Sequence, residues 1–367
     1  MNIETIITRA WQRKAAWLWL LLPVSWLYAL LMVLRRQAYK VGVFSSYRAP
    51  IPVMVIGNIT VGGSGKTPLI IALVRHLQQQ GIKVGVISRG YGGDSSQMPL
   101  LVNTESVPNV VGDEPCLIVN TTGTAMAVSP NRQQAIAILL EAYPDLQLII
   151  ADDGLQHYAL QRDIEWVVVD AARGFGNKQL LPTGFLREPI SRLKGANVIY
   201  HQKAAASSIY NKSDHNTLLT EHLRMHLQAD DLELLWSSNN QIDNLAVVAT
   251  APEKGSQVHA VSGIGYPQRF FDTLNALGFE VIPHPYPDHY DFSLDELLQY
   301  TDHPIIVTSK DAVKIKALIM QALSDEYKEL VSRLWVLPVT AVLSESCYES
   351  LQQQLQTLDI DISMRKQ

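Results

Sequence analysis

Cysteine is nearly absent: the 367 residues include two, Cys116 and Cys347, with no Cys-x-x-Cys and no Cys/His spacing around either. That excludes a disulfide framework and a structural zinc site, and fits a reducing compartment. Internal repeats and low-complexity tracts are missing too. No small-residue cleavage site follows the first apolar run, where Arg35-Arg36 stands instead, so a cleavable signal peptide is not expected. Beyond the first fifty residues no basic stripe with interleaved aromatics occurs, so no nucleic-acid partner is expected. What remains is a globular chain, 47% hydrophobic, whose length suggests two domains.

The net charge of −5 conceals an asymmetry. Residues 1–50 carry seven Lys/Arg against Glu4 alone, a net +6 that leaves −11 for the rest. Within that segment Ala15 to Leu34 is twenty residues without a charge, rich in Trp, Leu and Val and interrupted by Pro23 and Ser25. The length just meets the requirement for a membrane span. Basic flanks on both sides give no orientation, and tryptophans inside the run suit an interfacial position. Residues 1–50 therefore read as a membrane-associated helix, dipping into one leaflet or crossing once, with a core helix as the alternative.

From Ile51 onward, short apolar strands alternate with amphipathic helices, the pattern of a doubly wound, mostly parallel sheet with its site at the strands' C-terminal ends. Strands are expected at 53–56, 83–88, 125–128, 146–151, 166–170 and 196–200. Residues 51–201 thus form a nucleotide-binding core, 202–255 a polar linker or ribbon with a turn at Asn239-Asn240, and 256–367 a smaller α/β domain. In that domain Ser293 and Glu296 have capping-box spacing, and Leu334 to Val339 reads as one strand before the final helix. The last strand and helix are candidates to pack back on the core.

The organising stretch is Val53 to Leu77: an apolar strand, the turn Thr60-Val61-Gly62-Gly63-Ser64-Gly65-Lys66-Thr67, and a helix with Pro68 in its first turn. Glycines let successive N–H groups converge on a phosphate, a lysine reaches the β/γ-phosphates, and a following hydroxyl ligates Mg²⁺. Residues 60–68 are accordingly the nucleotide-binding candidates. One departure stands out: the general P-loop pattern has glycine where this chain has Thr60.

Asp152 and Asp153 end the strand at 146–151 in the position of acids that hold Mg²⁺; with Thr67 they are the metal candidates. Transfer to an alcohol also needs a group to receive the acceptor's proton. Asp113 and His289, each in a loop crowded with Gly or Pro, are the candidates, joined by Lys66 for transition-state charge. The loop after the strand at 83–88 could bring Arg89 to the phosphates, and His157 could bond Asp153 or the phosphates or be structural.

Taken together, Gly57 to Pro68, Ser88-Arg89-Gly90-Tyr91-Gly92, Gly112-Asp113-Glu114-Pro115, Asp152 to His157, Gly184 to Pro189 and Asp288-His289-Tyr290 resemble the tetraacyldisaccharide 4′-kinases, the lipid A 4′-kinases, over nearly the whole chain. Thr60 belongs to that family's loop. The resemblance implies an ATP- and Mg²⁺-dependent kinase, a monomer at the cytoplasmic face of a bacterial inner membrane. It would phosphorylate the 4′-hydroxyl of a tetraacylated glucosamine disaccharide, an acylated lipid substrate. It also implies that Asp113 and His289 act as a dyad on that hydroxyl, that Arg187 neutralises phosphate or binds substrate, and that Arg89, Glu114, His157, Glu188 and Lys310 face the same site. Two other classes compete. A membrane-partnered P-loop ATPase that dimerises over ATP would carry a lysine at the position of Val61. A GTPase is suggested by Asn211-Lys212-Ser213-Asp214 and by Thr308-Ser309-Lys310-Asp311.

Overall fold

The computed structural model describes residues 3–203, 223–236, 250–322 and 327–360. In chain order the strands are β1 Val53–Gly57, β2 Val84–Ser88, β3 Leu100–Val102, β4 Ala125–Val128, β5 Leu148–Asp152, β6 Ile164–Asp170, β7 Asn197–Gln202, β8 Leu223–Ala229, β9 Glu233–Leu234, β10 Gln257–Ser262, β11 Glu280–Pro285, β12 Ile305–Thr308, β13 Leu334–Leu337 and β14 Val339–Leu343. The helices are α1 Ile3–Gln12, α2 Leu22–Lys40, α3 Lys66–Gln79, α4 Pro108–Val111, α5 Asp113–Thr122, α6 Arg132–Ala142, α7 Pro267–Ala276, α8 Leu294–Leu298, α9 Ser309–Ala322, α10 Lys328–Arg333 and α11 Glu345–Gln356.

Two sheets organise these elements. The larger runs β14-β8-β7-β6-β1-β5-β2-β4-β3, parallel throughout except for its two edge strands. Its central strands β1, β2 and β5 are buried on both faces, which is why they read as unbroken apolar runs rather than alternating ones. The smaller runs β11-β10-β12-β13-β9, with only β9 antiparallel. The mostly parallel architecture and the second α/β unit are as the sequence suggested.

Three details differ from the sequence reading. The stretch 202–255 supplies β8 to the large sheet and β9 to the small one, so the chain crosses between sheets near Asp230. It crosses back at Pro338, because the expected strand Leu334 to Val339 is two strands in different sheets. Proline has no N–H to continue a ladder, yet its carbonyl accepts from Asp230 N at 3.0 Å and ties the two crossings together. Beyond it, α11 buries Cys347, Leu351 and Leu355 against the large sheet, and Gln354 Oε1 accepts from buried Trp166 Nε1 at 2.9 Å. The Asn239-Asn240 turn and the Asn211–Asp214 motif lie outside the described residues.

The third difference is in the N-terminal apolar segment, which is a 3-10 turn, Ala16–Leu21, followed by α2 rather than one helix. Pro23 lies in the first turn of α2, where its missing N–H costs no helical hydrogen bond. Together the two pieces make a stretch, Ala16–Lys40, long and apolar enough to cross a membrane by length and composition, with mean hydropathy 2.0 and only 11% of its most apolar window buried. One face docks on the body. Ser25 Oγ donates to Thr183 Oγ1 at 2.8 Å and accepts from Thr183 N at 3.1 Å, and Tyr28 OH donates to the Arg187 carbonyl at 3.0 Å. The other face exposes Trp26, Leu27, Leu30, Leu31 and Leu34.

Candidate active site

The glycine-rich turn links β1 to α3. Gly62 and Gly65 have φ of +89° and +92°, conformations that side chains rarely adopt. At Gly65 a Cβ would also stand 2.8 Å from His201 Nδ1. Thr60 is different because it is extended, forming an antiparallel bridge with Leu186. Val61 N donates to Phe185 O at 2.8 Å and Arg187 N to Ile59 O at 2.7 Å. The loop's entry is therefore a short strand pinned to residues 185–187, and an extended residue needs no glycine. That is the physical reason for the departure at Thr60. The remainder is braced by Asn58 Nδ2, which donates to Ser64 Oγ at 3.2 Å, and by Arg173, which donates to the Val61 carbonyl at 2.7 Å. Gly63 stays exposed while Lys66, Thr67 and Pro68 are half-buried in the first turn of α3, so the amides and the positive end of the helix face outward for an anion.

The two aspartates at the end of β5 sit in opposite electrostatic settings. Asp153, in the left-handed region at φ +46°, pairs with Lys66 Nζ at 3.3 Å and Arg187 Nη1 at 2.9 Å. Burial alone would raise its pKa, but Lys66 and then Arg187 outweigh this and hold it well below the carboxylate range. Asp152 is buried; its Oδ2 accepts from Ser88 Oγ at 3.2 Å, and its Oδ1 has no partner. Burial first, then the charges of Glu114 and Asp153, push its pKa up to about 7. A buried carboxylate oxygen without a hydrogen-bond donor, among like charges, is suited to a cation. Among the described residues no cluster of three or more His, Cys, Asp or Glu could hold a metal unaided. Mg²⁺ commonly takes only one or two carboxylates, with water and phosphate oxygens completing its shell, so Asp152 with Thr67 fits that ion. Asp153 already has its counter-charges.

The other candidates gather around this point from both sheets. Asp113 opens α5, fully buried, its Oδ1 accepting from Glu114 N at 2.9 Å. His289, at φ +57° in the loop after β11, places Nδ1 3.0 Å from Asp113 Oδ2 and rests against the Tyr91 ring at 4.7 Å. Burial opposes the charged form of Asp113, but the His289 hydrogen bond and the charges of Lys310, His289 and Lys314 bring its pKa below the ordinary value. Lys310 lies 3.1 Å from Glu114 Oε1 and 3.3 Å from Asp288 Oδ1. A Cβ on Gly265 would stand 2.8 Å from Gly63 N and 2.9 Å from Asp288 Oδ2, so the loop that carries His289 meets the P-loop where the two lobes face each other.

Three candidates are less direct. Arg89 is exposed at the end of β2. His157 has its pKa pushed down to about 4, by burial and then by Arg132, Arg162, Arg35 and Arg89, so it is neutral, and its side chain makes no hydrogen bond to Asp153. Glu188 is buried, accepting from Gln156 Nε2 at 2.8 Å and pairing with Arg192 at 3.3 Å, which fixes the 185–192 loop. Sequence reasoning gave no role to Arg132 or Arg269. Arg132 is buried and donates to the Asp152 carbonyl at 3.1 Å. Arg269 of α7 pairs with Asp170 at 2.5 Å and joins the second lobe to the floor of the P-loop. Neither stands in a motif; their partners are 20 and 99 residues away.

Comparison with known proteins decides the family. The profile of tetraacyldisaccharide-1-P 4′-kinases matches residues 17–356. The chain belongs to that family. It is 94% identical to a tetraacyldisaccharide 4′-kinase of Psychrobacter cryohalolentis over the full length of both chains, and 80% identical to that of Psychrobacter arcticus over all of this chain and 98% of the other. The enzyme of that name from Stutzerimonas stutzeri is 43% identical over 86% of this chain and 90% of its own. In fold, the chain is similar to the "apo" form of LpxK from Aquifex aeolicus in complex with ATP, with a TM-score of 0.66 over 92% of this chain and 98% of that one at 23% identity.

Proposed function

We propose that this protein is a kinase that transfers the γ-phosphate of ATP to the 4′-hydroxyl of a tetraacylated glucosamine disaccharide 1-phosphate, a step of lipid A biosynthesis. Beyond family membership, the observation that carries the reading is the buried Asp113 carboxylate, held by His289 of the facing lobe, whose Gly265 lies against Gly63 of the P-loop. Hydrolysis would not require a base built across two lobes, whereas an alcohol acceptor needs a group to take its proton.

In this reading the amides of residues 62–65 and the start of α3 bind the β- and γ-phosphates. Lys66, paired with Asp153 here, turns its charge onto the transferring group, where developing negative charge is stabilised most. Arg187, on the other side of Asp153, does the same from the 185–192 loop. Thr67 and Asp152 would hold Mg²⁺, which when bound neutralises the phosphate oxygens. Asp113 accepts the proton of the 4′-hydroxyl as its oxygen bonds to the γ-phosphorus and the bond to the bridging oxygen of ADP breaks. His289 and Glu114 N position the carboxylate for that transfer.

The lipid acceptor gives the exposed face of α2 a purpose. Docked along one side by Ser25 and Tyr28, the helix would lie at the membrane surface with Trp26, Leu30 and Leu34 in the acyl region, keeping the catalytic lobes on the cytoplasmic side of the inner membrane. The GTPase alternative is disfavoured by Asp311. That carboxylate is buried, accepting from Gly263 N at 3.0 Å and Thr308 Oγ1 at 2.7 Å, so it braces a loop and is closed to a guanine base. The test is transfer of labelled γ-phosphate with a tetraacylated disaccharide 1-phosphate and water both present. Label in the lipid is expected; release only as inorganic phosphate would overturn the assignment.

A further inference from the structure

Lys310 is the group at the interface of the lobes that the mechanism above leaves unused. It stands in the first turn of α9, its side chain 15% exposed, and makes three close polar contacts: Glu114 Oε1 at 3.1 Å, His289 Nε2 at 3.2 Å and Asp288 Oδ1 at 3.3 Å. An ammonium has three hydrogens and no lone pair. All three are therefore given, one of them to the imidazole. Burial disfavours the charged form, but Glu114, Asp288 and Asp113 outweigh it and raise the pKa, so the group is protonated.

Donor and acceptor valence then fixes the histidine. Asp113 is an ionised carboxylate and can only accept, so His289 Nδ1, at 3.0 and 3.1 Å from its two oxygens, must carry hydrogen. Lys310 can only donate, so Nε2 must offer its lone pair. We propose that Lys310 is a positioning residue of the acceptor dyad, holding His289 as the neutral Nδ1–H tautomer so that Asp113, and not the imidazole, receives the acceptor's proton. With its lone pair taken by Lys310, His289 is removed as a base. With its only hydrogen directed at Asp113, it aims that carboxylate. The same ammonium links Glu114 of the P-loop lobe to Asp288 and His289 of the second.

The inference rests on the proposed dyad, and its test separates the two. In protein labelled with ¹⁵N-histidine, two-bond proton–nitrogen correlation at pH 8 reports which ring nitrogen is protonated, with His289 assigned from the spectrum of His289→Gln. The wild type is expected as the Nδ1–H tautomer. Lys310→Met should leave Nε2 without its donor, so that the ring takes a second proton there and shows imidazolium in place of the neutral Nδ1–H tautomer, and should lower kcat on the order of 10- to 100-fold, with KM for ATP changed less than about threefold. Lys310→Arg, also a pure donor, should keep the tautomer and recover part of kcat. A wild-type Nε2–H tautomer overturns the proposal even if Lys310→Met fails to fold, as does a Lys310→Met enzyme with unchanged tautomer and kcat. If the tautomer is as expected but no phosphate reaches a glycolipid, the kinase reading fails and the Lys310–His289 bond stands.

Discussion

Replacing Asp152 by asparagine should make the metal-free protein more stable while removing its activity. Asparagine keeps the shape and the acceptor for Ser88 but carries no charge, and the charge is what the site does not compensate. The sign follows from the pKa, raised from 3.8 to about 7 by burial and by Glu114 and Asp153. The folded state holds this proton where the unfolded chain has lost it, so stability falls as pH rises from about 4 to about 7 and stays at the lower level above. A rise of that size corresponds to about 4 kcal/mol as an upper bound. Two further carboxylates share the repulsion and keep part of it, leaving on the order of 1–2 kcal/mol for Asp152→Asn to recover. Thermal unfolding at pH 8 without Mg²⁺ should show it as a Tm rise of about 2 °C per kcal/mol. With Mg²⁺ and ATP the order should reverse, since the wild type gains about 2.7 kcal/mol at a hundredfold excess over Kd and the variant gains little. A Tm below wild type without metal at pH 8, or an equal Mg²⁺-dependent rise in both proteins, would refute the assignment of Asp152 to the cation.

Other substitutions probe the remaining parts. Lys66→Ala should lower kcat at least about 100-fold through lost charge stabilisation of the transferring phosphate, and turnover within a few-fold of wild type would remove the P-loop from the mechanism. Asp113→Asn should reduce kcat by a similar order with ATP affinity, read by calorimetry, largely kept. Because Asp113 is more acidic folded than unfolded, its stabilisation is complete above about pH 4 and lost as pH falls below that, through the lowered folded value; the stability difference between wild type and Asp113→Asn in chemical denaturation should therefore shrink in acid. Ser25→Ala leaves Thr183 N without its acceptor, costing about 1–2 kcal/mol. Removing residues 1–34 should release the protein from anionic vesicles, and retention in a sedimentation assay would place the anchor elsewhere.

The features legible in the sequence are those whose cause is local. Continuous apolar runs announce strands buried on both faces, and the central strands at 84–88, 125–128 and 148–152 fall within two residues of their expected places. Glycine at 62 and 65 answers to positive φ, and Ser293 with Glu296 forms both hydrogen bonds of a capping box. In each case the residue and the structure it causes are within four positions of one another. The nine-stranded order was not so accessible, because β8 and β14 reach the large sheet only after the chain has visited the small one, and nothing near Pro338 says to which sheet either neighbour belongs.

At the site the same boundary holds. Sequence could nominate Asp113 and His289, but they are 176 residues apart, and a hydrogen bond across that separation exists only once two separately folded lobes face each other. Thr60 shows it most compactly. By its own pattern it was a missing glycine, an oddity explained only by family resemblance; its bridge to Leu186, 126 positions on, makes it a strand residue that never needed glycine's freedom. Likewise, adjacent Asp152 and Asp153 were one acidic pair in the sequence. Tertiary structure gave Asp153 the cations of Lys66 and Arg187 and buried Asp152 with Ser88 as its hydrogen-bond donor, partners that come from other elements of the fold. Sequence by itself determined the phosphate loop, the parallel core and the apolar helix. Which charges meet, Asp153 with Lys66 and Arg187, Asp113 with His289 and Lys310, was decided only by tertiary packing.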